Sequence, residues 1–147
     1  MKNYKIALVY SSILIAVVNI IAVFLTWLNF KVTAELNLVI FNPSYSDILK
    51  SVNGINLPGG IIGLFLAIVF VVLVFLRIRI AALFGLAAVV NGTGYALGWF
   101  VDKTDLLSID IIEKYATAQI IPVPQTGLIL YLTSAILMTI LAIFVKK

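Results

Sequence analysis

The chain predicts an all-α membrane protein: an antiparallel bundle of four transmembrane helices with a small extracellular β-containing cap formed by its two outer loops. Three observations predict this. Of its 147 residues 63% are hydrophobic and 11% charged, with a mean hydropathy of +1.20, whereas soluble domains are about half apolar and a quarter charged. Four long apolar runs carry no Asp, Glu, Lys or Arg. Six of the ten cations gather at one set of run ends and all six carboxylates at the other.

The expected spans are about 6–27, 60–76, 80–100 and 126–145, with outer loops at 28–59 and 101–125, all in a single domain. Each run is long enough for a hydrocarbon core of about 30 Å. The first run starts at Ile6 behind Lys2 and Lys5, a basic start shared with signal peptides. Its apolar stretch exceeds the roughly 7–15 residues of a signal h-region, and no small-x-small site closes it, so it reads as an uncleaved span. Only Arg77-Ile78-Arg79 separates the second and third runs, which forces a tight hairpin and makes those helices neighbours.

Orientation follows from lysine and arginine, which stay cytoplasmic when they flank spans in short loops. Lys2, Lys5, Arg77, Arg79, Lys146 and Lys147 fall on one side, a net +6. The other side holds four lysines against all six carboxylates, a net −2. The expectation is a multi-pass protein of the cell membrane with both termini cytoplasmic. Trp27 and Trp99 then stand at the outer ends of the first and third spans, where indole rings anchor at headgroup level.

In the first outer loop, residues from Phe30 to Phe41 alternate, with Val32, Ala34, Leu36, Leu38 and Ile40 on one face, the pattern of a half-buried strand. A lone strand leaves backbone groups unpaired. Its partner is expected within Gly54 to Leu57, around Ile109 to Ile112, or in another subunit. Asn42-Pro43-Ser44 signals a turn, and Ser46 is placed to cap a short helix ending near Asn53-Gly54. In the second loop, Ile109, Ile112 and Ala116 have near-helical spacing while Ser108 to Ile111 alternates, so both readings stay open. Pro122 and Pro124 make the stretch before the fourth span extended. The apolar Ile111, Ile112, Ile120 and Ile121 are expected to pack on the first loop.

The spans hold no ionisable group, so a proton relay, a carboxylate ion site and a voltage sensor lack their usual parts. What remains is an intramembrane polar layer of Asn19, Asn91, Thr133 and Ser134, with Thr93 and Thr139 nearby. Counted from the inner ends, Asn19 and Asn91 lie about 20 Å and about 17 Å deep and are within reach of a hydrogen bond across helices. Such a layer joins helices; lining a pore or pocket is the alternative. Gly59 and Gly63, and Gly94 and Gly98, stand four residues apart, the spacing of close helix packing, within one chain or between two.

Histidine and cysteine are absent, which removes imidazole and thiolate ligation, thiol nucleophiles and disulfides. No phosphate-cradling glycine loop, Gly-x-Ser-x-Gly elbow or HExxH sequence occurs. Lys103, Asp105, Asp110 and Glu113 read as a solvated loop surface. No catalytic, cofactor-binding or metal residue is therefore assigned, and no cofactor, no enzyme activity and no nucleic-acid partner are expected. The expected partners are the lipid bilayer and a second copy or another membrane protein.

Thr26-Trp27 at the end of the first span, the extended first loop, Gly59-Gly60 opening the second span, Arg77-Ile78-Arg79 as inner turn and Gly127 opening the fourth together resemble the claudin and peripheral-myelin-protein type of tetraspan. They resemble in particular small prokaryotic four-span proteins of similar build. In claudins the first outer loop carries a Trp, Gly-Leu-Trp, Cys, Cys pattern and folds with the second into a small extracellular sheet. Trp27 matches the entrance tryptophan; Gly-Leu-Trp and both cysteines have no counterpart. The resemblance implies a structural protein working by lateral assembly or adhesion. A channel or carrier for a neutral solute and an accessory subunit of a larger membrane enzyme are the other expectations.

Overall fold

The computed structural model describes residues 2–35, 44–101 and 117–145. They form four α-helices, α1 (Lys2–Phe24), α2 (Pro58–Phe75), α3 (Ala81–Ala96) and α4 (Thr126–Phe144), and three strands, β1 (Thr26–Glu35), β2 (Ser44–Asn53) and β3 (Thr117–Pro124). A 3-10 turn, Gly54–Asn56, leads into α2. Three helical segments, Ile6–Phe24, Pro58–Phe75 and Thr126–Phe144, are long and apolar enough to cross a membrane. α3, with 16 residues, covers about 24 Å, and further turns carry the chain from its end to Phe100.

The helices pack as a closed ring, α1 against α2 and α4, and α3 against α2 and α4. Their buried positions explain this. Ser12, Ala16, Asn19 and Val23 in α1, Ala81, Gly85, Ala88, Gly92 and Tyr95 in α3, and Leu128, Tyr131, Ala135, Met138 and Ala142 in α4 recur at alternating steps of three and four. That average of about 3.5 residues is the seam of left-handed helix packing. Small residues dominate the seam, while Leu, Ile, Val and Phe lie outward on all four helices. This is the reverse of a soluble bundle and the distribution a lipid solvent favours.

The helix ends are closed by the chain itself. After α3, Trp99 N–H donates to Gly94 O and Gly98 N–H to Tyr95 O, with Gly98 at φ 74°. This pair of bonds is the Schellman stop that favours glycine. After α2, Ile78 N–H donates to Leu73 O and Arg77 N–H to Val74 O, with Arg77 at φ 56°. The turn is tight, as expected, and it places a non-glycine residue in the left-handed region.

The sheet has the order β2-β1-β3 with antiparallel pairing throughout. It lies at one end of the helices: Gly54 meets Trp27, Gly98 meets Pro122 and Gly127 meets Leu25 and Thr26. Both connections contribute strands, as anticipated, but three details differ. α1 stops at Phe24 and β1 begins at Thr26, well before Phe30. The carbonyls there are claimed sideways, Leu25 O by Gly54 N–H at 3.0 Å and Trp27 O by Gln125 N–H at 2.8 Å, which turns the chain out of the helix.

The segment expected as a short helix behind Ser46 is β2, in register with β1 from Glu35↔Ser44 to Thr26↔Asn53. Long pairing satisfies a run of backbone groups that a one-turn helix leaves open. Gly54–Asn56, one proposed strand partner, is the 3-10 turn, and the second partner of β1 is β3. The alternatives at 108–116 and the strand continuation at 36–41 lie outside the described residues. Pro122 and Pro124 stand in β3, an edge strand of the described sheet, where a missing N–H is tolerated.

Candidate functional site

The best-built site is the buried junction between the sheet and the helix ring. Trp27 enters on β1, Tyr95 and Asn91 on α3, Tyr131 and Ser134 on α4, Asn19 on α1 and Gly59 and Gly63 on α2. Trp27 and Tyr131 are fully buried. The indole packs on Tyr131 with centroids 4.7 Å apart and edge-on to Tyr95 at 5.8 Å, and Tyr95 meets Phe100 at 5.7 Å. These are favoured tilted and T-shaped aromatic geometries. The indole N–H donates to Ala22 O at 2.9 Å, so the end of α1 satisfies its only polar group.

Glycines make room for these rings. A Cβ at Gly63 would meet the Tyr131 ring, with the hydroxyl oxygen at 2.6 Å, and one at Gly59 would run into the Tyr95 ring. Gly59 and Gly63, read from their spacing as positions of close helix packing, face tyrosine rings rather than a helix backbone. Gly94 faces the Phe100 ring of its own chain. Gly98 is the helix stop rather than a packing position, because its φ of 74° is needed for the Schellman turn.

The polar layer is organised around Tyr131. Asn19 Nδ2 donates to Tyr131 O at 2.9 Å and to Ser134 Oγ at 2.8 Å. Asn91 Nδ2 donates to Gly59 O at 2.8 Å and to the Tyr131 hydroxyl at 3.3 Å. Gly59 N–H donates to the Tyr95 hydroxyl at 2.9 Å. The two asparagines therefore address opposite ends of one tyrosine and do not bond to each other. Asn19 Oδ1 is buried and accepts no hydrogen bond among the described residues. Ser134 belongs to the layer; Thr133 does not, being exposed and donating to Ile129 O and Leu130 O of its own helix.

Trp27 corrects the expectation of two interface anchors. It sits in the core because β1 starts early and turns it inward. Trp99 is 73% exposed at the end of α3. Sequence reasoning passed over Tyr95 and Tyr131. Their signal was a tyrosine in an otherwise apolar run opposite a run with glycines at matching heights, a pairing that depends on helix register.

Among the described residues no group of His, Cys, Asp or Glu could hold a metal ion. The three membrane-length helices and the outward apolar faces mark the chain as a membrane protein. No protein-family model, curated protein or solved structure matches it.

Proposed function

We propose that the protein is a four-span scaffold of the cell membrane, with both termini cytoplasmic and the sheet outside, that assembles laterally with itself or with another membrane protein. The observation that carries this reading is a sheet locked to the helix ends, with unequal edges. Trp27 and the bonds from Gly54 and Gln125 fix β1 to α1, α2 and α4. Proline stands twice in β3, at positions paired with Leu28 and Phe30, so that edge has lost two donors for strand addition. β2 contains no proline and is the edge suited to a partner strand. Outward apolar faces on α3 as well as on the three longer helices support four spans, and the charge asymmetry of the connections supports the orientation.

Because the chain has no cysteine, single cysteines report this directly. Ser51→Cys, exposed on β2, is expected to cross-link in native membranes to a second copy or one stoichiometric partner, and Ile121→Cys on β3 is not. A strictly monomeric species under mild extraction, with nothing co-purifying, rejects the proposal. A neutral-solute path through the polar layer is disfavoured by Tyr131, whose buried side chain occupies the space between Asn19 and Asn91. Recovery of one intact membrane enzyme with the chain would instead favour the accessory-subunit reading.

A further inference from the structure

A slot of about 610 Å³ runs between α2 and α3 on the outer surface of the ring, a volume typical of ligand pockets, roughly 300–1,000 Å³. It exists because Ala87 presents only a methyl group where its neighbours along α3, Leu83 and Val90, are large. Leu83 is 59% and Val90 61% exposed, so the slot opens outward to the surroundings of the helices.

Its polarity is graded. Leu66 and Leu83 line one end, and Asn91 and Tyr95, with Phe100 packed on Tyr95, the other, about 12 Å away along α3. The Asn91 amide nitrogen is spent on Gly59 O and the Tyr131 hydroxyl. Gly59 is the second residue of α2, so the polar end lies where α2 starts beneath the sheet, and the apolar end points toward mid-helix.

We propose that this slot binds a glycerolipid from the leaflet on the sheet side, one acyl chain lying along α2 and α3 and the glycerol region beside Asn91. The order of polarity, polar at the helix start and apolar inward, is that of such a lipid. A helix from a second copy would lay an apolar ridge along the whole slot, Asn91 included, and matches it less well. The inference rests on the four-span reading but is independent of assembly through β2.

The test uses the full chain in nanodiscs of phosphatidylcholine and phosphatidylglycerol, released in native mass spectrometry. Wild type is expected to keep one lipid under activation that strips the rest. Ala87→Phe, which fills the slot from its exposed side, is expected to lower that occupancy at least tenfold, while Ile129→Phe on the outward face of α4 leaves it unchanged. Should Ala87→Phe fail to fold, Ala87→Cys capped with cyclohexylmaleimide after folding blocks the slot instead, with the same loss expected. Equal retention by the blocked protein, or no retained lipid in wild type, overturns the site. A dimer that dissociates when the slot is blocked overturns it in favour of a second copy. Extraction without detergent removes the membrane reading itself, whereas a lipid-retaining monomer leaves the site standing and removes only assembly.

Discussion

The Tyr95 hydroxyl accepts the backbone N–H of Gly59 at 2.9 Å, so a side chain of α3 caps the first turn of α2. Leu57 at the N-cap offers no side-chain bond of its own. The first N–H groups of a helix have no internal partner, and near lipid an unpaired one is costly. The cap therefore ties the two helices at the level of the sheet.

Removing the cap tests it. Tyr95→Phe keeps the ring on Trp27 and Phe100 and deletes the acceptor, and is expected to cost about 1 kcal/mol, in line with loss of an N-cap. Gly59→Ala is expected to cost more, because its Cβ would collide with the ring. Reversible unfolding in mixed micelles checks both; a Gly59→Ala protein as stable as Tyr95→Phe contradicts the ring contact.

The two asparagines are expected to be unequal. Asn19→Leu loses two donated bonds but also removes a buried carbonyl oxygen without a partner among the described residues, so the net cost is about 1 kcal/mol or less. Asn91→Leu strips the buried Tyr131 hydroxyl of its donor and is expected to cost about 1–3 kcal/mol. The same unfolding assay orders them, and the reverse order refutes this account.

The tryptophans are expected to report different surroundings. With Trp99 replaced by Phe, Trp27 emission should be resistant to both aqueous quenchers and brominated lipids, because its indole is fully buried. With Trp27 replaced by Phe, Trp99 should be quenched readily. Comparable quenching of the two would place Trp27 outside the core.

Arg77 stands at φ 56° in the turn after α2, a region that costs a side-chain-bearing residue about 1 kcal/mol relative to glycine. Arg77→Gly is expected to stabilise the protein by about that amount. Its thermal midpoint in detergent should rise; a fall would mean that the arginine side chain makes a contact worth more than the strain.

Much of this architecture was legible because it depends on local sums. Uncharged runs located the helices to within a few residues, and alternation found the later half of β1, from Phe30 to Glu35, because burial of a segment's side chains is written into its own composition. The misreadings came where a segment's state depends on distant chain. Ser44–Asn53 is polar enough to resemble a capped turn until β1 supplies ten residues of partner backbone. Trp27 resembles an interface anchor until Gly54 and Gln125 pull the end of α1 into a strand.

The site shows the same division. Asn19, Asn91 and Ser134 stood out as polar residues in apolar runs, yet their common partner, Tyr131, did not, because tyrosine is unremarkable near a span end. Thr133 stood out equally and contributes nothing to the layer, since one residue's step around α4 separates the exposed face from the buried one.

By itself the sequence determined the solvent this protein needs, the number of its apolar runs and the grouping of six cations at one set of run ends, since hydropathy and charge are properties of segments wherever they end up. Only the tertiary structure decided that Asn19 finds the carbonyl of a residue 112 positions away, that glycines face tyrosines and that β1 has two partners. Those contacts depend on the rotation and register of helices against one another, which small shared seams allow and which no single segment encodes.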